Sequence, residues 1–223
     1  YLLTKQENKF YKKDIYNLMM SNTNFDGNLP EPIGVDENGL EYWDGKQVFS
    51  MILPKITINT DKLKVNKGIM EEGFLDSSSL GSDSNGFVQQ IYNAFGKEEC
   101  ANYLNNAQNL ITKFMVGHSF TMGYGDCLIS KEQKEANKDK VKQKIGEIDE
   151  LIKSVYEGLY KPELDKKYIR ESIETDIKEK LGNNFEEIKV DLNKNISSEN
   201  NLFKAISSGS KGKTTNIGQI LGI

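Results

Sequence analysis

Half of the charged residues lie within residues 131–195, and this segment constrains the fold more than any other part of the sequence. Its 65 residues hold 15 Lys and Arg and 16 Asp and Glu, against 29 and 33 in the whole chain of 223. Between these charges, apolar residues alternate in steps of four and three, the spacing of a helix that packs on one partner along a narrow seam. These residues are Val141, Ile145, Ile148, Ile152, Val155 and Leu159.

A second apolar stripe follows the turn signal Lys161-Pro162-Glu163. It consists of Ile169, Ile173, Ile177, Leu181 and Phe185. The two stripes predict an antiparallel helical hairpin over residues 130–195. At a rise of ~1.5 Å per residue, a helix from Ser130 to Tyr160 would be roughly 45 Å long and would project as a rod. Gly182-Asn183-Asn184 is expected to break or bend the return helix.

The residues before the hairpin mix two periodicities. Strand-like runs separated by turn signals are Gln47–Leu53, Lys55–Asn59, Leu63–Asn66 and Gly68–Leu75. Helical spacing is found in Gln6–Met20, Asn85–Phe95 and Glu98–Met115, with Asp83 or Ser84 as the N-cap of the second. The predicted fold class is therefore α+β, with a small mixed or antiparallel β region and short helices followed by the long hairpin.

Composition excludes several classes of protein. The longest apolar runs are far shorter than the ~20 residues of a membrane-spanning helix, and two cysteines cannot form a disulfide framework, which favours an intracellular protein. Arg170 is the only arginine and the pI is near 5.3, so a sequence-specific DNA reader is disfavoured. The chain starts at Tyr1 and stops inside an apolar helical pattern, so we expect a piece of a longer protein.

Two candidate metal sites are better explained without a metal. Asp26-Gly27 is a common turn dipeptide with no further carboxylate before Glu31. A closed zinc site needs four ligands at recognisable spacing, whereas His118, Cys100 and Cys127 are isolated from one another. Packing is the favoured role for these three side chains.

Residues 207–214, Ser-Ser-Gly-Ser-Lys-Gly-Lys-Thr, differ by one residue from a phosphate-binding P-loop. The missing glycine, the helical pattern before the loop and the lack of a downstream acidic strand disfavour a self-contained NTPase. A Gly/Ser loop that carries Lys211 and Lys213 just before a helix N-terminus is nevertheless suited to contact phosphate.

Taken in order, the motifs of this chain resemble the largest subunit of multisubunit DNA-directed RNA polymerases. They are Leu3-Thr4-Lys5, Asp26-Gly27-Asn28-Leu29-Pro30, Trp43-Asp44-Gly45-Lys46-Gln47, Gly73-Phe74-Leu75-Asp76, Phe120-Thr121-Met122-Gly123-Tyr124-Gly125-Asp126, Gly209-Ser210-Lys211-Gly212 and Asn216-Ile217-Gly218-Gln219. The resemblance covers nearly all of residues 2–223 and is closer to the eukaryotic polymerase II type than to the bacterial one. The Lys and Asn bias fits a large DNA virus or an AT-rich protist.

The resemblance implies a pore domain in residues 1–126 and a funnel domain in residues 127–223. The funnel domain would comprise the hairpin 130–195, the Gly-Ser-Lys-Gly loop 209–212 and a truncated helix 214–223. Together the two domains would wall the secondary channel, through which nucleoside triphosphates arrive and the 3′ end of backtracked RNA leaves. Further implied partners are other polymerase subunits, especially the second-largest, and a transcript-cleavage elongation factor on the funnel helices. This segment would bind no cofactor or metal itself, whereas the complete enzyme uses Mg²⁺.

The resemblance also implies roles for particular residues. Lys211, with Gly209, Ser210 and Gly212, would meet the triphosphate as nucleotides arrive. The expected channel-lining residues are Thr215, Asn216, Gly218 and Gln219. Lys46, Gln47 and Asp126 belong to family motifs without a clear role. Ser77-Ser78 stand where eukaryotic enzymes commonly carry a basic pair, which puts a second lysine at this place in doubt.

A second hypothesis stays open at this stage. The charged hairpin could be a coiled-coil docking rod on a small stand-alone α+β domain with no enzymatic activity. The flanking gene sequence would separate the two hypotheses. A polymerase would be expected in the nucleus if cellular, and in the host cytoplasm or the virion if viral.

Overall fold

The computed structural model describes residues 1–5, 7–23, 25–81, 86–161 and 169–222, without the side chain of residue 184. It divides the chain into two compact units. Unit 1 comprises residues 1–121 with 207–210, and unit 2 comprises residues 122–206 with 211–223. Unit 1 contains two small antiparallel sheets and unit 2 is built from helices, so the predicted α+β class is confirmed.

Among its described residues, unit 1 holds six short strands in two three-stranded sheets. The first sheet has the order β1-β3-β2 and consists of β1 (Phe10–Tyr11), β2 (Gly34–Val35) and β3 (Glu41–Trp43). The second has the order β4-β5-β6 and consists of β4 (Ile58–Thr60), β5 (Leu63–Asn66) and β6 (Ile69–Gly73). In the second sheet the buried side chains of β5 alternate with exposed ones, as expected for a sheet with one face on the core.

The helices of unit 1 surround a single apolar core. They are α1 (Leu2–Lys5), α2 (Lys12–Met19), α3 (Gly45–Ser50), α4 (Ser77–Leu80) and α5 (Phe87–His118). Ile15, Phe49, Phe87 and Leu110 are fully buried in this core. Side chains of α5 also cap the C-terminal end of α2, where Lys113 Nζ donates to the carbonyl oxygen of Asn17 at 3.1 Å. A cation there is favourable because the carbonyl ends of a helix carry partial negative charge.

The strand predicted over Gln47–Leu53 is wrong, because α3 occupies this stretch. The Asp44 side chain accepts a hydrogen bond from the amide of Gln47 at 2.8 Å and so caps a helix start. Val48 and Ile52 are buried one helical turn apart, a spacing that the short apolar run did not distinguish from a strand. The strand predicted over Lys55–Asn59 is likewise displaced and shortened to β4.

One helix prediction in unit 1 needs correction and two are confirmed. The helix predicted over Gln6–Met20 begins only at Lys12, because Phe10 and Tyr11 pair with β3. The two helices predicted over Asn85–Phe95 and Glu98–Met115 are present as the two segments of α5, which are separated at Gly96, where a φ of 84° and a ψ of -175° interrupt the helix. The N-cap of α5 is Gly86, whereas the predicted caps Asp83 and Ser84 lie outside the described residues.

Unit 2 contains the predicted hairpin of α6 (Lys131–Tyr156) and α7 (Ile169–Asn195), followed by α8 (Asn201–Ser207) and α9 (Thr214–Leu221). Helices α6 and α7 run antiparallel, because residues later in α6 contact residues earlier in α7. Gln133 Oε1 accepts from Asn195 Nδ2 at 3.3 Å, and further along Lys140 pairs with Asp191. Helix α7 is continuous through residues 182–184, so the break predicted there is wrong. The predicted turn at residues 162 and 163 lies outside the described residues.

The predicted seam of α6 against α7 is only partly correct. Val141, Ile148 and Val155 are half-buried, but Ile145, Ile152 and Leu159 are 51%, 37% and 68% exposed. The apolar side of α7 packs mainly on α9 instead, and the core of unit 2 contains Ile188, Leu192, Ile217 and Leu221. Since α9 takes this side of α7, part of the α6 stripe has no partner within the described residues of unit 2.

Candidate functional site

The first half of the Gly-Ser-Lys-Gly loop belongs to unit 1 and is held there by Ser77. The amide of Ser77 donates to the carbonyl oxygen of Ser208 at 2.9 Å. Gly209 has a φ of +71°, and a Cβ built on it would lie 1.9 Å from Ser77 Oγ. Only glycine therefore fits at this position, for conformational and for steric reasons. Gly209 and Ser210 are both exposed.

Ser77 is itself positioned by two other family motifs. It is the first residue of α4, whose N-cap Asp76 accepts hydrogen bonds from the amides of Ser78 and Ser79. Thr4 Oγ1 accepts from the amide of Leu75 at 2.9 Å. Burial acts to raise the pKa of the Asp76 carboxyl, but the hydrogen bonds from Ser78 and Ser79 outweigh it and leave this pKa lowered. The motif residues Thr4 and Asp76 thus support the segment that contacts Ser208.

The second half of the loop belongs to unit 2 and is held by the end of α8. The Lys211 amide donates to the carbonyl oxygen of Ala205 at 3.3 Å. Gly212 has a φ of +84°, and its built Cβ would lie 3.1 Å from Ile206 Cγ1. The Lys211 side chain is exposed, and no carboxylate lies within 4.0 Å of its ammonium group in the part of the chain that the structure describes. The Lys211 backbone is therefore anchored by a hydrogen bond, whereas its ammonium group is exposed to solvent.

The predicted channel-lining residues on α9 fall into two groups. Thr215 and Gln219 are exposed. Asn216 is exposed as well, but its Oδ1 accepts a hydrogen bond from the Lys213 amide at 2.6 Å and caps the helix. Gly218 is buried, and its built Cβ would lie 2.9 Å from Phe185 Cζ, so the lack of a side chain lets α9 approach α7. The structure therefore does not bring all four residues to one surface.

Asp126 connects the loop before the hairpin to α8. Its Oδ2 accepts from the Gly123 amide and its Oδ1 from the Asn201 amide, both at 2.8 Å. These bonds, first that from Gly123, lower the pKa of the Asp126 carboxyl below its ordinary value. Its contribution to folding is therefore present above the ordinary pKa of aspartate and is lost as the pH falls through the lower folded-state pKa. The sequence marked Asp126 only as a family motif, without a role.

Lys46 and Gln47 are placed in unit 1 at the start of α3. Both are half-buried. Gln47 Nε2 donates to the carbonyl oxygen of Glu31 at 2.8 Å, and the neighbouring Trp43 Nε1 donates to that of Pro30 at 2.8 Å. This motif therefore ties down the Pro-Glu-Pro stretch at residues 30–32. The motif at residues 43–47 is thus hydrogen-bonded to the end of the motif at residues 26–30 and to Glu31. These contacts are structural and indicate no catalytic role for Lys46 or Gln47.

The packing predicted for the histidine and the two cysteines is confirmed for Cys100 only, because His118 and Cys127 are exposed. The His118 ring stacks on Phe114 at 4.2 Å between ring centroids. Cys100 is buried in the core of unit 1, whereas Cys127 is exposed in unit 2. Within the described ranges, no three His, Cys, Asp or Glu side chains are grouped so that they could hold a metal ion.

Sequence reasoning missed the residues that anchor the loop. Ser77 was considered only for the basic pair that it replaces, and Asn200 and Ala205 were not considered. Ala205 contacts the loop through its backbone carbonyl, and every residue has such a group, so the residue type could not predict this contact. Asn200 could have been found, since an Asn followed by an amphipathic helix is a common N-cap pattern.

The fold and the loop define a class of protein segment: an α+β chain that contains a helical hairpin and carries an exposed ammonium group on a backbone-anchored glycine loop. Residues 1–127 match the family described as RNA polymerase Rpb1, domain 3, and the chain belongs to this family. The predicted resemblance is therefore confirmed.

Curated relatives extend the similarity over the whole chain. Over 98% of its length, the chain is 26% identical to a protein of Invertebrate iridescent virus 6 named as a probable DNA-directed RNA polymerase II subunit RPB1 homolog. Over its full length it is 26% identical to subunit Rpo1N of the DNA-directed RNA polymerase of Halobacterium salinarum. It is also 25% identical to DNA-directed RNA polymerase subunit 1 of Acanthamoeba polyphaga mimivirus.

The chain spans only a fraction of these relatives, 20%, 23% and 14% of their respective lengths. Among the helices of the described ranges, none is long and apolar enough to cross a membrane.

Proposed function

We propose that this chain is a segment of the largest subunit of a DNA-directed RNA polymerase, a nucleotidyltransferase that makes RNA on a DNA template. The observation that carries this proposal is the similarity over 98% or more of the chain to viral and archaeal RNA polymerase subunits. Residues 1–126 would act as the pore domain and residues 127–223 as the funnel domain of the secondary channel. The match of the family model to residues 1–127 supports this division.

Within this function, Lys211 is proposed to contact the triphosphate of arriving nucleotides. Its exposed ammonium group is carried by a loop whose backbone is hydrogen-bonded to Ala205. An exposed charge pair contributes only about 0 to 1 kcal/mol, so the contact attracts a triphosphate without trapping it. Lysine suits this role better than arginine, because its compact ammonium group makes no bidentate clamp.

Lys211→Ala in the assembled polymerase is expected to raise the apparent KM for nucleotides by about fivefold, which corresponds to roughly 1 kcal/mol of lost binding. The kcat at saturating nucleotide should stay within twofold, about the error of such a comparison. Steady-state elongation on a defined template measures both constants. Lys97→Ala, on the exposed surface of α5, is the control and should leave both unchanged. An unchanged KM in the Lys211 variant would show that the ammonium group does not contact the substrate.

The hairpin is proposed to dock a transcript-cleavage elongation factor. Ile145 and Ile152 lie seven residues apart on α6 and expose 51% and 37% of their surface, and Leu159, just beyond the end of α6, exposes 68%. Apolar side chains at this spacing form one stripe along a helix and are suited to receive the apolar face of a partner. The exposed part of the apolar stripe would thus contact the cleavage factor rather than another helix of this chain.

Replacing Ile145 and Ile152 together by aspartate should lower factor-stimulated transcript cleavage about tenfold, because charged groups then enter an apolar contact. The KM for nucleotides and the factor-independent cleavage rate should not change. Leu104→Asp, at a similarly exposed apolar position of α5, is the matched control. Full stimulation in the double variant would place the factor elsewhere.

The remaining partners follow from the same proposal. The chain would contact other polymerase subunits, especially the second-largest, and the 3′ end of backtracked RNA. Mg²⁺ would be bound by another part of the complete enzyme, and this segment would bind no cofactor. The protein would be intracellular, in the nucleus if cellular and in the host cytoplasm or virion if viral. The similarity over the whole chain disfavours the alternative of a stand-alone, non-enzymatic coiled-coil module.

A further inference from the structure

Asp126 accepts three hydrogen bonds, one from within the loop before the hairpin and two that fasten this loop to the start of α8. Its two carboxylate oxygens accept from the Gly123 and Asn201 amides, each at 2.8 Å. Its carbonyl oxygen accepts from Asn200 Nδ2 at 2.9 Å. Asn200 in turn accepts from the Phe203 amide at 3.0 Å and is the N-cap of the helix. The start of α8 is therefore held by the side chain and the backbone of one residue.

Only a carboxylate meets the demands of this position. Both side-chain oxygens receive a backbone N–H at the same time, so an asparagine would turn its own NH₂ group toward one of the two donors. Lys204, one turn into α8 and only 8% exposed, adds an attraction for the Asp126 charge. Negative charge at the N-terminus of a helix is also favoured by the helix dipole.

The other end of α8 holds the backbone of Lys211. The carbonyl oxygen of Ala205, in the last turn of the helix, accepts from the Lys211 amide at 3.3 Å. The next residue, Gly212, approaches Ile206 so closely that a Cβ would lie 3.1 Å from its Cγ1. A helix of seven residues is about 10 Å long and stiff, so the position of its first turn determines that of its last.

We infer that Asp126 is a positioning residue for Lys211 and acts through α8. The inference rests on the proposed contact between Lys211 and the triphosphate. Asp126 itself touches no substrate. It sets the position of α8, whose last turn binds the Lys211 amide. The three hydrogen-bond partners of Asp126 and the lysine backbone all lie within unit 2.

A double-mutant cycle in the assembled polymerase tests this inference. Asp126→Asn is expected to raise the apparent KM for nucleotides about threefold with little change in kcat, since displacement weakens the charged contact without removing it. In a Lys211→Ala background the same substitution should have no further effect on KM, because there is no ammonium group left to misplace. The amide of Lys211 should also lose protection from hydrogen exchange in Asp126→Asn.

Ser130→Ala is the matched control. Ser130 caps α6 in the same unit by accepting from the Gln133 amide at 3.1 Å, but it has no connection to α8. It should lower thermal stability as a lost cap does, while KM and the exchange of the Lys211 amide stay unchanged. The inference would be overturned if Asp126→Asn changed KM equally in the unmodified and the Lys211→Ala backgrounds. It would also be overturned if the hydrogen exchange of the Lys211 amide stayed unchanged in Asp126→Asn. Either result would leave the role of Lys211 intact. If Lys211→Ala alone leaves KM unchanged, the proposed contact fails and the inference fails with it.

Discussion

Gly45→Ala is expected to lower the free energy of unfolding of the chain by about 3 kcal/mol or more, because the added Cβ has no space. Built on the backbone of Gly45, this atom would lie 1.7 Å from the carbonyl oxygen of Leu3 and 2.6 Å from its carbonyl carbon. Both are backbone atoms of α1, and Leu3 is part of the core of unit 1. The contact can be relieved only by moving α1 away from α3. Denaturant unfolding of the 223-residue chain measures the loss.

Gly117→Ala provides the matched control within the same unit. Its built Cβ meets nothing within 4 Å, and the residue lies in the last turn of α5. Alanine is favoured over glycine in a helix by up to about 1 kcal/mol, so this variant should be neutral or slightly more stable. A Gly45 variant that unfolds at the same denaturant concentration as the unmodified chain would show that α1 does not pack on α3 this closely.

Gly209→Ala is expected to cost about 2 to 4 kcal/mol, the sum of a left-handed backbone conformation and an overpacked contact. The φ of Gly209 is +71°, and its built Cβ would lie 1.9 Å from Ser77 Oγ and 2.7 Å from Ser77 Cβ. The hydrogen bond from the Ser77 amide to Ser208 should be lost with it. Faster hydrogen exchange at the Ser77 amide, together with a lower unfolding midpoint, would show both effects.

A second substitution separates the two causes. Ser77→Gly removes both side-chain atoms that the new Cβ would meet, so it should recover the steric part of the loss in Gly209→Ala. The conformational part, about 1 to 2 kcal/mol, should remain. Equal stability of the single and the double variant would mean that Ser77 does not pack against the loop.

These two glycines show what the family motifs contribute to this chain. Gly45 lies in Trp43-Asp44-Gly45-Lys46-Gln47 and Gly209 in the Gly-Ser-Lys-Gly loop. In both motifs the glycine permits a close approach of backbone segments that are distant in sequence. Thr4 and Asp76 act in a similar way, by hydrogen bonds that support the segment around Ser77. These motif residues therefore build the scaffold, whereas Lys211 offers an exposed charge.

The α+β class, the hairpin and the family could be predicted from the sequence, because they depend on local periodicity and on the order of short motifs. Amphipathic spacing is a property of one helix and can be read without its partners. The sequence also singled out Lys211 as a candidate phosphate contact, since a Gly/Ser loop with a lysine before a helix is a local pattern, and this role stays a prediction.

Which surfaces are covered could not be predicted, because this depends on packing between segments that are distant in sequence. The apolar stripe of α7 predicted that this helix packs on a partner, but not that both α6 and α9 would pack on it. The exposure of Ile145 and Ile152 on α6 therefore could not be predicted. Residues 47–50 became part of a helix because Asp44 caps it, and the core receives Val48 from this helix and Ile52 from the turn that follows. The role of Asp126 depends on Asn200 and Asn201, which follow it by more than 70 residues. Such contacts join segments that are distant along the chain. They stabilise the fold only when both segments are in place, so neither segment predicts them by itself.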